Sequence, residues 1–413
     1  MDIKPFKAYL PNEHIAEKAV SKPFDFYTHD ELDAILHSNP YSFLNIIKPD
    51  YNSQQKSPVN SEELFDKSRA KFLSFVKREI YQLHTTTAYY IYRQTSSKGS
   101  NTGLIVAAAV SDYKAGKIKI HEQTIERKEV VLKNYLRSVK INAEPILLTY
   151  PHSDTIAEKI NTITATQQPA YTINMEGTKH TLWLVDNEAD KDFFTQSFGQ
   201  LKEIFVADGH HRLASSALLA VEFARENPGS DKLPNYERFM AALYADDQLG
   251  LYEFNRLVKD LNDLSDDDFL ERLKENFQVV LHSQEAVKPA IPHHFTLYLS
   301  GCWYYLTLNT ETQEKYLGDN PLDADLLTEL ILTPLLGIGD LRTDKRVGFT
   351  SGVQGLQAVA HKVNTGKFKA AFVLHPIQFE QFYSISLEGK TMPPKSTWFE
   401  PKLLNGLVIY SYE

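Results

Sequence analysis

Apolar residues recur along the chain at two different spacings, and each spacing predicts one kind of element. Over residues 61–84 they return at near-helical intervals behind Ser61, which predicts a capped helix. Thr28 and Thr124 are placed to cap two further helices, over residues 28–37 and 124–139. Short apolar runs predict strands at residues 88–94, 102–110, 145–150, 171–175, 179–185 and 239–245.

The pattern changes character near residue 250. An acidic segment that becomes amphipathic predicts a helix over residues 263–277. A hairpin is predicted around Ser300-Gly301, another helix over residues 323–332, and late strands at residues 370–374 and 407–411. We therefore place a domain boundary there, which divides the chain into a region of residues 1–250 and a region of residues 251–413.

The most informative stretch joins a strand directly to a helix. The apolar residues 204–207 run into Asp208-Gly209, then His210, His211 and Arg212, and then an Ala/Leu-rich segment over residues 213–225. A helix N-terminus presents free N–H groups and the positive end of the helix dipole, so it favours a bound anion. Arg212 adds a planar fork that matches phosphate or carboxylate oxygens. The stretch predicts a phosphate-binding corner.

Two other interpretations of this corner stay open at this point. The histidines can simply form local hydrogen bonds, because adjacent side chains on a helix point in different directions. A metal site is disfavoured, because His210 and His211 lack the i, i+4 spacing of a helical zinc pair and no cysteine is near. The sequence also lacks the GxxxxGK[ST] phosphate loop and the Gly-x-Ser-x-Gly hydrolase turn.

Two residues elsewhere are candidates for the same site. Glu122 follows a short strand, where it can act as a general base on a hydroxyl, or it can belong to a solvated strand end. Arg93 lies at the end of a predicted strand, where it can face the same anion or remain a surface arginine.

Composition and charge exclude several classes of protein. With a net charge of −9 over 413 residues, the chain is a poor candidate for duplex binding, so we expect no nucleic-acid partner. Its single cysteine, Cys302, excludes a disulfide framework within the chain. The apolar runs are too short to span a bilayer, and we expect a cytoplasmic protein without a membrane partner. A homodimer stays open.

Several strings together resemble one family, the bacterial and archaeal domain of unknown function 1015. The resemblance follows chain order and covers nearly the whole sequence. Its most specific element is Asp208-Gly209-His210-His211-Arg212. The other strings lie at residues 5–8, 22–25, 39–44, 92–94, 121–124 and 394–397. The corner is also similar to the Gly-x-x-Arg corner of the ParB/sulfiredoxin superfamily, which includes kinases of free serine.

This resemblance implies an α+β fold, with a ParB/sulfiredoxin-like mixed sheet and helices followed by a C-terminal α+β region. It implies that Gly209, His210, His211 and Arg212 contact the phosphates of ATP or ADP. Asp208 would orient a substrate or hold Mg²⁺. Sulfiredoxins carry a reactive cysteine in this corner where the present chain has a histidine, which argues against sulfinic-acid repair.

Two functional hypotheses follow. The first is a nucleotide-dependent phosphotransferase acting on a small hydroxylated or amino-acid-like substrate, with Glu122, Asp208 and His210 as catalytic residues and Arg93 as a further nucleotide contact. The second is a nucleotide-sensing module with little or no catalysis, which would use the same corner and need no base.

Overall fold

The computed structural model describes residues 1–228, 235–283, 285–319 and 321–413. The strands are β1 (Ile3–Lys4), β2 (Ala8–Pro11), β3 (Tyr81–Leu83), β4 (Tyr89–Ser96), β5 (Gly99–Ala109), β6 (Ile118–Lys119), β7 (Ile141–Asn142), β8 (Ile146–Tyr150), β9 (Tyr171–Met175), β10 (Thr178–Val185), β11 (Ile204–Asp208), β12 (Arg238–Ala245), β13 (Gly250–Tyr252), β14 (Phe254–Val258), β15 (Phe277–Ser283), β16 (His294–Leu299), β17 (Cys302–Leu308), β18 (Val347–Ser351), β19 (Ala370–Val373), β20 (Trp398–Glu400) and β21 (Ile409–Ser411).

The α-helices are α1 (Ala16–Ala19), α2 (His29–Ser38), α3 (Leu44–Ile47), α4 (Glu62–Lys77), α5 (Val110–Lys114), α6 (Glu126–Val139), α7 (Asp154–Thr166), α8 (Glu188–Gly199), α9 (His210–Glu226), α10 (Asp266–Leu273), α11 (Thr310–Tyr316), α12 (Asp323–Leu327), α13 (Gly355–Asn364) and α14 (Phe379–Leu387). Short 3-10 segments lie at Glu13–Ile15, Phe24–Phe26, Asp246–Gln248, Leu317–Asp319 and Gly352–Gln354, and a π segment lies at Thr328–Leu332. The α+β class is confirmed.

The chain forms two compact units. The first comprises Met1–Leu249 together with Pro401–Glu413, and the second comprises Gly250–Glu400. The sequence places residues 401–413 in the second region, whereas in the structure they return to the first unit. Pairing of β21 with β2 and β7 accounts for this return, because its backbone groups join the small sheet β3-β2-β21-β7.

A mixed sheet forms the centre of the first unit. Its strand order is β6-β11-β8-β12-β5-β4-β10-β9, and β1 pairs with β5. The pairs β11/β6 and β12/β8 are parallel, and the other neighbours are antiparallel. Alternate residues of the central strands are buried in one apolar core with helices α7, α8 and α9. Strand β11 pairs with β6 on one edge and β8 on the other, so the position of its last residue, Asp208, is well defined.

The second unit has a sheet of its own, in the order β15-β17-β16-β19-β14-β18. One face packs against α10 and α12, and the other packs against α13. The predicted hairpin around Ser300-Gly301 is confirmed as β16 and β17, with both turn residues at positive φ. A two-stranded pair of β13 and β20 completes this unit.

Three helix predictions need correction. The helix predicted over residues 263–277 is shorter, because α10 spans Asp266–Leu273 and residue 277 already begins β15. The helix predicted over residues 61–84 ends at Lys77, because Glu79 adopts a left-handed conformation (φ +56°) that reverses the chain into β3. Ile125, rather than Thr124, occupies the N-cap position of α6, and the Thr124 hydroxyl instead donates to the Glu129 carboxylate. The Thr28 cap is confirmed, with a complete capping box to Glu31.

Within the described ranges, no helix is both long and apolar enough to cross a membrane.

Candidate active site

The corner predicted from the sequence is a strand, a one-residue turn and a helix. Asp208 is the last residue of β11, Gly209 occupies the N-cap position, and α9 begins at His210. Gly209 has φ +102° and ψ 30°, a conformation that side-chain-bearing residues rarely adopt. A Cβ atom there would also lie 3.0 Å from Nε of Arg212. The backbone conformation therefore favours glycine, and a Cβ atom at this position would also push the Arg212 guanidinium aside by a few tenths of an ångström.

The N-terminus of α9 carries no side-chain cap within the described residues. The helix is 17 residues long, and Leu213 is the first residue whose N–H returns to the turn, to the Gly209 carbonyl. The opening amides of such a helix lack intrahelical acceptors and lie at the positive end of the dipole. Free amides at the positive end of a helix dipole favour the binding of an anion.

Two cations converge on the carboxylate of Asp208. Nη2 of Arg212 and Nζ of Lys402 each lie 3.3 Å from Oδ2, and the Asp208 side chain keeps 44% of its surface exposed. Burial raises the pKa of this carboxyl, but the charges of Lys402 and then Arg212 outweigh burial and lower the pKa to about 2. Asp208 is therefore ionised at neutral pH, with two cations beside it.

Arg212 also braces the corner against the start of β8. Its Nη1 donates to the Pro145 carbonyl at 2.9 Å and lies 2.9 Å from a carboxylate oxygen of Glu144. Its side chain is 19% exposed. The guanidinium thus holds the turn in place and still presents part of its surface beside the helix N-terminus.

The two histidines bind backbone groups of the preceding loop. Nε2 of His210 accepts from the His121 backbone N–H at 3.5 Å, and Nε2 of His211 accepts from the Ile125 backbone N–H at 3.0 Å. The rings of His121 and His210 pack edge to face, with centroids 4.4 Å apart. The local-bonding interpretation of the two rings agrees with these contacts, and their backbone amides remain part of the helix N-terminus.

These contacts tie the loop that carries Glu122 to the first turn of α9. Glu122 lies in the bend between β6 and α6, next to His121 and three residues before Ile125, and its side chain is partly buried. Because both flanking backbone groups are bonded to the first turn of α9, the Glu122 backbone is fixed at the side of that turn.

Arg93 is not brought to this corner. Its Nε donates to Thr102 at 2.9 Å, one Nη donates to Thr164 at 3.1 Å, and its guanidinium lies 5.2 Å from the Trp183 ring centroid. Strand β4, which carries it, is four positions from β11, about 19 Å at ordinary strand spacing. Pairing from strand to strand across the sheet connects Asp208 to a residue of β4, and that residue is Tyr90. The intermediate partners are Leu147, Ala242 and Ile105. Arg93 lies three residues beyond Tyr90 on β4, and its guanidinium packs against side chains of the sheet and of α7.

A cavity of about 230 Å³ adjoins the corner on the side of Arg212. Its walls are mainly apolar and aromatic, from Pro23, Phe24, Phe43, Ile47, Leu132, Tyr135, Leu136, Ile141 and Ala143. Polar groups come from Asp25, Asn142, Glu144, Arg212 and Asn405. Arg212 is therefore shared between the corner and the cavity.

The sequence interpretation missed Lys402 and Asn405. Lys402 is 194 residues from Asp208, and its carbonyl accepts from the Gln94 amide at 3.0 Å. No spacing rule connects residues so far apart. One indirect indication is present in the sequence, since an apolar run that predicts a strand begins at Leu407, two residues after Asn405. Such a strand has to pair with a sheet, and β21 pairs with β2 and β7 of the first unit.

Residues 3–326 match the model of a family described as "Protein of unknown function (DUF1015)". The chain belongs to this family. None of the curated proteins matches it. Among the solved structures that are similar to this DUF1015 member over much of its length are three with 13%, 14% and 15% sequence identity. SbnI with a C-terminal truncation, from Staphylococcus aureus, is 13% identical, covers 73% of this chain and 85% of its own, and has a TM-score of 0.39.

The second similar structure is a free serine kinase in complex with AMP. It is 14% identical, covers 73% of this chain and 88% of its own, and has a TM-score of 0.34. The third is a conserved hypothetical protein from Pyrococcus furiosus, which is 15% identical, covers 72% of this chain and 90% of its own, and has a TM-score of 0.32.

The residues of the DUF1015 corner do not fit a resident metal ion. Across the described ranges, no group of three or more histidine, cysteine or acidic side chains is arranged to hold one. Oδ2 of Asp208 already faces two cations. A protein that binds Mg²⁺ usually supplies one or two carboxylates and takes the remaining ligands from phosphates and water. The described side chains therefore do not form a magnesium site by themselves.

The His210 ring makes the corner sensitive to acid. Burial lowers its pKa from 6.5 to about 4, the Asp208 charge opposes this shift, and His211 and Arg212 add to it. The neutral ring is thus favoured in the folded state, and the unfolded chain takes up the proton first. Stability is fully present above pH 6.5 and is lost as pH falls towards 4. Between pH 7 and pH 5 the loss from His210 is about 2 kcal/mol.

Hydrogen exchange of peptides from β11 and α9 will measure this loss. We expect His210→Gln, which keeps a side-chain oxygen as acceptor but cannot titrate there, to reduce the fall in protection between pH 7 and pH 5. His14→Gln is the matched control, because the His14 side chain is 83% exposed. An equal fall in parent and His210→Gln would contradict the prediction.

Proposed function

We propose that this protein is a nucleotide-dependent phosphotransferase that acts on a small hydroxylated or amino-acid-like substrate. One observation carries the proposal: the uncapped N-terminus of α9 begins at a glycine with positive φ and is flanked by Lys402 and Arg212. Helix amides together with a lysine and an arginine are the groups that bind phosphate oxygens.

In this proposal the corner binds the terminal phosphates of ATP or ADP. The amides of Gly209, His210 and His211 point at phosphate oxygens, and the Lys402 ammonium and Arg212 fork neutralise the charge that develops on the transferred group. Asp208 holds both cations in position, and the exposed part of its carboxylate accepts a hydrogen bond from the substrate hydroxyl that receives the phosphoryl group. Positioning and charge stabilisation are the main requirements of phosphoryl transfer.

Glu122 acts as the base. It takes the proton of the acceptor hydroxyl, and the hydroxyl oxygen forms a bond to the terminal phosphorus. The bond from that phosphorus to its bridging oxygen breaks, and the electron pair leaves with the shortened nucleotide. The fixed backbone around Glu122 supports this role, because a base must be held within hydrogen-bond reach of the hydroxyl.

Titration calorimetry with ATP, ADP, CTP and GTP, each with and without Mg²⁺, tests the proposal. We expect binding by the parent and about tenfold or greater weakening in Lys402→Met, which keeps the aliphatic stem but loses the charge. Arg212→Ala should weaken binding similarly, whereas Arg225→Ala, at the exposed end of the same helix, should bind like the parent. The proposal would be wrong if the parent bound none of the nucleotides, or if Lys402→Met and Arg212→Ala bound them as tightly as the parent.

A further inference from the structure

Two side chains of β4 hold the backbone of the segment that carries Lys402. Residues 401–404 form neither a helix nor a strand. The buried Gln94 side chain donates from Nε2 to the Lys402 carbonyl at 3.0 Å. Two residues earlier on the same strand, the buried Tyr92 hydroxyl accepts a hydrogen bond from the Leu404 backbone N–H. We call Tyr92 and Gln94 the β4 clamp.

The Tyr92 hydroxyl is itself fixed by a neighbouring histidine. Its Oη lies 2.7 Å from Nδ1 of His180, and both residues are buried. Burial lowers the pKa of His180 to about 4, so the ring is neutral at pH 7 and Nδ1 can accept a hydrogen bond. Because the hydroxyl oxygen accepts from Leu404, its hydrogen is available to Nδ1. The hydroxyl is therefore held in one orientation, with its oxygen towards the C-terminal segment.

Alternation along β4 separates the clamp from Arg93. Successive side chains of a strand point to opposite faces of the sheet, so Tyr92 and Gln94 share one face. Arg93 is on the other face, where it contacts Thr164 and the Trp183 ring. The residues on either side of Arg93 thus connect β4 to the phosphate-binding corner, although Arg93 itself does not.

Lys402 is held at both ends. Its carbonyl is bonded to Gln94 on β4, and its ammonium lies 3.3 Å from Oδ2 of Asp208 at the end of β11. Three strands separate β4 from β11, so this one residue connects distant parts of the sheet. A lysine loses rotamer and backbone freedom when its ammonium binds an anion. Because the Gln94 bond already restrains the backbone, less freedom remains to be lost when a phosphate binds.

We propose that Gln94 is a positioning residue for the phosphate-binding ammonium of Lys402, and that Tyr92 supports the same segment. Neither side chain of the β4 clamp touches the nucleotide. This inference rests on the proposed function, because Lys402 must bind a phosphate for its position to matter. The clamp keeps the ammonium close to Asp208 and to the start of α9, so an arriving phosphate meets a cation that is already ordered.

ATP calorimetry on a double-mutant cycle tests the inference. We expect Gln94→Leu, which keeps the bulk of the side chain but cannot donate, to weaken ATP binding about five- to tenfold. In a Lys402→Met background the same substitution should change the affinity by less than about twofold, because Gln94 acts through the lysine ammonium. Gln248→Leu is the matched control, since the Gln248 side chain accepts from the Thr102 backbone N–H of the same sheet at 3.1 Å. It should bind ATP like the parent.

Tyr92→Phe provides a second test if Gln94→Leu does not fold. It should weaken ATP binding about threefold in the parent and leave the affinity of Lys402→Met unchanged. Parent-like ATP binding by the clamp variant, or an equal loss in both backgrounds, would overturn the positioning role. If Lys402→Met weakens ATP binding and the clamp variant does not, only this inference fails. If the parent binds no nucleotide, the proposed function fails with it.

Discussion

Glu122→Gln is expected to lower phosphoryl transfer by about 100- to 10,000-fold while nucleotide affinity stays nearly unchanged. The amide keeps the shape of the side chain but cannot take the proton of the acceptor hydroxyl at neutral pH. His210 and His211 bond to the backbone N–H groups of His121 and Ile125, which the substitution leaves in place. Transfer of radiolabelled terminal phosphate from ATP to free serine, threonine or homoserine measures the effect.

Glu126→Gln is the matched control, because Glu126 is an exposed acid in the first turn of α6, four residues further along. It should transfer phosphate like the parent. Unchanged transfer by Glu122→Gln would remove Glu122 from the mechanism. A parent that binds nucleotide but transfers phosphate neither to these acceptors nor to water would instead favour the nucleotide-sensing alternative.

The local part of the site could be predicted from the sequence. The apolar run of β11, the Asp208-Gly209 turn and the start of α9 follow one another within a few residues, and each depends on short-range preferences. Glycine permits the positive φ, and it offers no side chain that could cap the helix that follows. The strand, the glycine turn and the uncapped start of the helix could therefore be predicted from the sequence alone.

The parts of the site that depend on long-range contacts could not be predicted. Lys402 reaches Asp208 only because β21 joins the small sheet of the first unit. The same return brings Asn405 to the cavity wall. Arg93 is predicted from the sequence to face the same anion because it lies at a strand end. Whether two strand ends lie close together depends on the order of the strands in the sheet, and three strands separate β4 from β11.

The end of α4 illustrates the same limit within a single segment. Ile80 and Leu83 continue the helical spacing of the preceding residues, yet Glu79 turns left-handed and residues 81–83 form β3. Tyr81 is fully buried there among Phe72 and Phe75, so packing of the small sheet outweighs a helical period. Of the two residues that extend the helical period, Ile80 is buried but Leu83 is 47% exposed, so the period predicted neither the element nor the burial of Leu83.

Gly209→Val is expected to weaken ATP binding by about 100-fold, because a β-branched residue at φ +102° is strained by roughly 1–3 kcal/mol and its side chain meets the Arg212 guanidinium. Relief of that strain would move the turn or Arg212, and either movement disrupts the phosphate seat. Gly177→Val isolates the site effect, since Gly177 has φ +79° in the β9–β10 turn and a Cβ atom there would meet no described atom within 4 Å. Both variants should lose stability in urea unfolding, but only Gly209→Val should lose ATP affinity in calorimetry. Parent-like ATP binding by Gly209→Val would show that the anion is not held at this turn, whatever the protein does with nucleotides elsewhere.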